Sequence, residues 1–137
     1  MSCVANLRSI ADGFMQYADD NSNRFPDPQA LDQSWEKCLS AYISNPDPFR
    51  CPGDQEIYPI LGSSYDWRDT GVFQTTLAGR AFYDMNRSNA VLAFESLPGW
   101  HAKQKMNAAF LDGSAQVMDQ QACLADLQSP IRDAAGP

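Results

Sequence analysis

Histidine is almost missing from this 137-residue chain, which carries one, His101. A catalytic reading of that residue therefore needs a nucleophile or a second base beside it. Ser114 is the candidate hydroxyl beside Asp112, but no G-x-S-x-G elbow surrounds it. Cysteine is sparse and scattered. Cys3, Cys38, Cys51 and Cys123 form no C-x-x-C pair, which argues against a zinc ribbon or a thioredoxin-type site. These residues allow two disulfides, one or none, and spacing alone leaves that open. No apolar run approaches the length of a bilayer span, and no secretory signal precedes the first motif. Basic clusters are absent too, and the formal net charge is -7. A surface that acidic repels phosphate backbones, so nucleic acid is not an expected partner.

What is present reads as one folded domain spanning residues 1–137. Hydrophobic residues make up 44% of the chain and aromatics 11%. This is not a disordered composition. A domain of this size buries roughly two thirds of its unfolded surface, enough for a core.

In "CVANLRSIADGFMQYADDNSN" the residues Val4, Leu7, Ala11, Phe14 and Ala18 recur at steps of three and four, with Ile10 and Tyr17 beside them. That spacing predicts an amphipathic helix. No N-cap precedes it, as if it were the tail of a longer helix. "RFPDPQALDQSW" reads as a loop because of its prolines. A second helix follows, with Trp35, Leu39, Tyr42 and Ile43 on one face and Asp32 or Ser34 as its cap. From Ile57 onward the apolar runs shorten. "SSYDWR", "GVFQTTL", "NAVLAFE", "MNAAFL" and "SAQVMD" read as strands or extended segments. Asp112-Gly113 separates the last two, a strong hairpin signal that predicts a two-residue type I′ turn joining 106–111 to 114–119. Cys123, Leu124 and Leu127 predict a short final helix, and "SPIRDAAGP" reads as a frayed tail. Helices first and strands second make the class α+β.

Asp112 thus sits where Asp is chosen for conformation. His101 is expected to bond a backbone carbonyl or pack on Trp100 and to take no part in catalysis. A small hydrolase would require a hydrogen-bonded set of His101, a carboxylate and a hydroxyl. The aromatics Trp67, Phe73, Phe82, Tyr83 and Trp100 are expected in the core, with a ligand groove as the alternative.

Several blocks, in order, carry a resemblance. Cys3, Asn6, Leu7, Arg8, Ile10, Tyr17, Phe25 and Pro26 form the first. Trp35, Leu39 and Tyr42 form the second, and Cys51, Pro52 and Asp54 the third. The "SSY" segment and the strand ending at Glu95 follow, then His101, Asn107, Phe110, Asp112 and Gly113. Together they resemble the soluble part of bacterial type IV pilin-like proteins, more narrowly the pseudopilin G-like proteins named for a histidine–spacer–Asp-Gly motif. The spacer here is one residue longer than usual, and the extra residue falls before Asn107.

The resemblance implies a pilin-like α+β fold, with the N-terminal amphipathic helix packed on a small antiparallel sheet. It implies a structural subunit of a pseudopilus or type IV pilus-like assembly, without catalysis. Other pilin or pseudopilin subunits would be its partners. A hydrophobic half-helix, absent from this chain, would anchor the full-length protein in the inner membrane, with this domain outside the cytoplasm. A ligand-binding or adhesive domain on the same scaffold is the alternative. No cofactor is expected. Related pseudopilins hold calcium in a loop beside the sheet, for which Asp66 and Asp69 are candidates here, although two carboxylates are a poor start for an ion wanting six or more oxygens. In an oxidising compartment, Cys38 and Cys51, flanking the Pro-rich loop, are the expected disulfide pair.

Overall fold

The apolar stripe of the first segment folds as α1, an 18-residue helix over Cys3–Asp20. Leu7, Ile10, Ala11, Phe14 and Ala18 lie on its buried face. Val4 packs on the same core but is only half-buried. In this computed structural model the described residues are 3–43, 49, 64–81, 85, 87, 89–95 and 104–131.

Past α1 the chain turns through Ser22 and Asn23, both at positive φ. The expected loop contains a short helix, α2, over Pro28–Leu31. Proline starts it because its missing N–H is an orphan there anyway, and the Asp27 carboxylate accepts from the Ala30 N–H. Asp32 ends this helix in the left-handed region and caps nothing downstream. Ser34 caps α3, Trp35–Leu39, by accepting from the Lys37 N–H. A 3-10 turn, Ser40–Tyr42, continues it. Gly13 lets this unit approach α1: a Cβ there would stand 2.9 Å from Ile43 Cγ1.

The strands are β1 (Tyr65–Trp67), β2 (Val91–Glu95), β3 (Lys105–Phe110) and β4 (Ala115–Asp119). They form a four-stranded antiparallel meander in sequence order. The final helix, α4, covers Gln120–Gln128. The fold is therefore α+β. One face of the sheet packs against α1 and α3 through Trp67, Leu92, Ala93, Ala109 and Ala115. The other carries Val91, Met106, Ala108 and Phe110 against Cys123 and Leu127 of α4. A β-bulge between Val91 and Ala93 re-aims the chain, so that Leu92 and Ala93 both enter the α1-side core. Phe14 is the hub of that core. Its ring lies 5.0 Å from Trp67, 5.8 Å from Trp35 and 6.2 Å from Phe25.

Three sequence expectations are corrected. "GVFQTTL" is not a strand. Gly71 takes positive φ, and the Val72 carbonyl accepts from the N–H groups of Thr75 and Thr76, which folds the run into a turn. The hairpin loop is three residues long, Leu111-Asp112-Gly113. Phe110 receives the Gly113 N–H and pairs with Ser114, and only Gly113 has positive φ (89°). That is a type I turn closed by a left-handed glycine, not a type I′ turn. The reason lies in Leu111, which is drawn inward, buried, and bonded to the Ala90 carbonyl. The start of "SPIRDAAGP" is not frayed: Ile131 is fully buried and donates to the Gln74 carbonyl.

Candidate functional site

Two buried polar groupings stand out, one on each side of the sheet. The first is a row on the α1 face. β1 and β2 pair Tyr65 with Glu95, and β3 brings Asn107 alongside. Glu95 is fully buried, and its carboxylate accepts from the Asn107 N–H at 2.6 Å and from the Asn107 side-chain amide at 3.4 Å. At the other end of the row, Asn6 of α1 donates to the Tyr65 hydroxyl at 3.2 Å. All four residues are at most 9% exposed. A buried carboxylate is tolerable only when hydrogen bonds replace its hydration. Here the β3 backbone supplies one of them, a hydrogen bond that ties β3 to β2 at this register.

The second grouping was not legible in the sequence. Arg68, at the end of β1, is fully buried. Its Nε donates to the Thr75 carbonyl at 2.7 Å. Nη1 reaches the Val91 carbonyl and Asp126 Oδ1, and Nη2 the carbonyls of Asp126 and Ser129. Asp126 also accepts from the Val91 N–H at 2.9 Å and from Arg87 at 2.6 Å. Burial alone would raise the Asp126 carboxyl, but the Val91 N–H and the two guanidinium groups outweigh it and hold the group below the ordinary carboxylate range. For Arg68, burial lowers the pKa and Asp126 opposes the change. An arginine between Trp67 and Asp69 reads as a solvated charge, and nothing in its local sequence signals a buried one.

The sequence-derived candidates fall as follows. Asn107 lies in the polar row. Asp112 holds the hairpin turn, its Oδ1 accepting from the Ser114 N–H at 2.9 Å and the Ser114 hydroxyl at 2.6 Å. These bonds to Ser114 hold its carboxyl below the usual range. Ser114 is thus engaged by a turn aspartate. His101 and Trp100 lie outside the described residues, as do Phe82 and Tyr83. Trp67 is core, whereas Phe73 is exposed.

Asp66 and Asp69 both have raised carboxyl pKa values, chiefly through burial. Asp66 Oδ1 accepts from the Trp67 N–H. Among the described residues no group of three or more His, Cys, Asp or Glu is arranged to hold a metal ion. Cys38 is a free, buried thiol whose sulfur lies 3.9 Å from Gln33 Oε1. Its expected partner, Cys51, lies outside the described residues. Cys123 is also a free thiol, and burial pushes its pKa up to about 11. Chemically, both groupings position strands and a helix. Neither presents an exposed nucleophile beside a base.

No known family model matches the chain, and neither a curated protein nor a solved structure is significantly similar to it.

Proposed function

We propose that this chain is the globular domain of a structural subunit of a pseudopilus or type IV pilus-like assembly, serving protein secretion or a surface appendage. The observation that carries the reading is the buried row Asn6, Tyr65, Glu95 and Asn107. Each residue comes from a different block of the pilin-like resemblance, and the fold brings the blocks into one polar layer. An 18-residue helix laid over an antiparallel meander is a further support. In this reading the protein performs no chemistry, its partners are other pilin-like subunits, and the domain stands outside the cytoplasm on a membrane-anchored helix. Among the described residues no helix is long and apolar enough to cross a membrane.

The test is made on the full-length protein in its own cells. Blocking the peptidase that processes prepilin leaders should remove the protein from sheared surface filaments and from crosslinked membrane assemblies. A protein that stays monomeric and untouched by that block sinks the reading.

A binding or adhesive role on the same scaffold is the second reading. A groove of about 380 Å³ between Thr70, Val72 and Thr75 on one side and Leu124, Leu127 and Gln128 on the other favours it. Its size falls within the range of small-ligand sites, which run from about 300 to 1,000 Å³.

A further inference from the structure

β4 lies at one edge of the sheet and pairs with β3 alone. Bonds from the Phe110 N–H to the Ser114 carbonyl and from the Gln120 N–H to the Gln104 carbonyl frame that pairing. In an antiparallel ladder every second residue bonds across, and the residues between turn their N–H and C=O the other way. Gln116 and Met118 therefore bond toward β3, while Ala115, Val117 and the Asp119 N–H point away from the sheet. Among the described residues nothing bonds to the outward backbone groups of Ala115 and Val117. The opposite edge, at β1, is engaged at both ends. The Ser64 N–H goes to the Phe49 carbonyl, and the Arg68 carbonyl accepts from the Leu77 N–H.

Edge strands are ordinarily guarded by lysine, proline, a bulge or a covering segment. β4 reads AQVMD, with neither lysine nor proline. Its register against β3 is unbroken from Lys105↔Asp119 to Ala109↔Ala115. Its one charge, Asp119, is held by Lys105 of the neighbouring strand. Val117 is 58% exposed, the most of any large hydrophobic residue described. Ala115, on the same side of the sheet, is buried, so the α1-side core stops short of Val117.

The outward row is complementary to itself, as a two-fold contact requires. An antiparallel pairing of two β4 strands about Val117 sets that valine against its own counterpart and Ala115 against Asp119. Apolar side chains meet at the axis, and the two carboxylates stand at opposite ends, so no like charges face each other.

We infer that β4 is a docking edge for a second copy of this chain, the two strands pairing antiparallel about Val117 and joining their sheets into one. Strand addition draws affinity from main-chain hydrogen bonds and specificity from alternate side chains. Each copy carries a net charge of -7, so the contact works against repulsion and tightens as salt screens it. This inference goes beyond the pilin-like reading and does not depend on it.

The experiment is sedimentation equilibrium of the chain from micromolar to millimolar concentration, with amide hydrogen exchange at both ends of that range. The chain should pass from monomer to dimer, and sodium chloride should move the midpoint to lower concentration. Val117→Lys sets two ammonium groups face to face at an exposed position and should weaken dimerisation about tenfold or more. Val117→Ile should leave the dimer in place. At high concentration the amides of Ala115, Val117 and Asp119 should exchange more slowly, while those of Gln116 and Met118, already bonded to β3, should not change. That alternation keeps the test readable if Val117→Lys does not fold. A chain still monomeric at millimolar concentration, whatever else covers its edge, would overturn the inference. So would a dimer that salt loosens, a dimer that folded Val117→Lys leaves intact, or protection that misses the alternate residues of β4.

Discussion

Arg68 Nη1 and Asp126 Oδ1 meet at 2.5 Å, joining the end of β1 to the helix that crosses the opposite face of the sheet. The contact ties residues 58 positions apart. It also closes the α4-side core, where Cys123 and Leu127 pack on Val91 and Phe110. Removing one member of a buried pair strands the other's charge. Asp126→Ala should cost about 3–5 kcal/mol in urea unfolding. Arg87→Ala should cost under about 1 kcal/mol, because Arg87 is 31% exposed and screened by water. Equal losses for the two variants would show that Asp126 does not act through Arg68.

Asp126 also sets a pH dependence. Its folded pKa lies below the unfolded value of about 3.9, so its contribution is complete above that value. It is lost as pH falls through the depressed folded pKa. Glu36 and Asp66 carry the opposite sign, since burial raises both. Their folded forms take up protons earlier than the unfolded chain does, so neutral pH is where they cost stability. Glu36→Gln should therefore raise the urea midpoint at pH 7 and lose that advantage in acid. Wild-type and Glu36→Gln curves that stay parallel from pH 7 to pH 3 would contradict this.

The cysteines give a chemical test. Cys123 is fully buried, with its thiol pushed up to about 11, so the reactive thiolate is scarce at neutral pH. Cys38 is buried and also raised by burial. Iodoacetamide should leave both unlabelled in the native protein and modify both after unfolding without reductant. A mass spectrum showing Cys38 blocked until reduction would instead establish a disulfide at that position.

The α1 core separates a hub residue from a peripheral one. Phe14 is fully buried and touches three aromatic rings, so Phe14→Ala should cost about 3–5 kcal/mol. Val4 is half-buried, and Val4→Ala should cost much less in this domain; under the proposed pilin-like reading it should also weaken subunit assembly. Thermal melts of the two variants, with filament recovery for Val4→Ala, decide the matter. Comparable melts for the two would mean that α1 needs its first turn as much as its centre.

Gly113 tests the hairpin. A Cβ there would meet nothing within 4 Å, so the whole penalty of substitution is its φ of 89°. Gly113→Val should cost about 1–2 kcal/mol. Asp112→Gly should cost less, because the Asp112 backbone is not at positive φ and it contributes only its bonds to Ser114. The reverse order would restore a two-residue turn.

The sequence by itself determined what local spacing controls. The step of three and four from Val4 to Ala18 specified α1, because a helix face repeats at that interval whatever it packs against. Asp112-Gly113 located the hairpin, the short apolar runs located the four strands, and Cys123, Leu124 and Leu127 located α4, though not its first turn. Only the tertiary structure decided the rest. "GVFQTTL" has the apolar content of a strand, yet Gly71 and the Val72 carbonyl turn it back, with Ile131 donating to Gln74 from the far end of the chain. Leu111 lengthened the hairpin loop because it turns into the core, where it is buried and its N–H donates to the Ala90 carbonyl. Arg68 and Asp126 look like surface charges until β1, β2 and α4 are assembled around them. Glu95 and Asn107 become a pair only when β2 and β3 align. Each of these depends on contacts between distant segments, and the free energy of burying a charge is set by the partners that surround it, which no window along the chain contains.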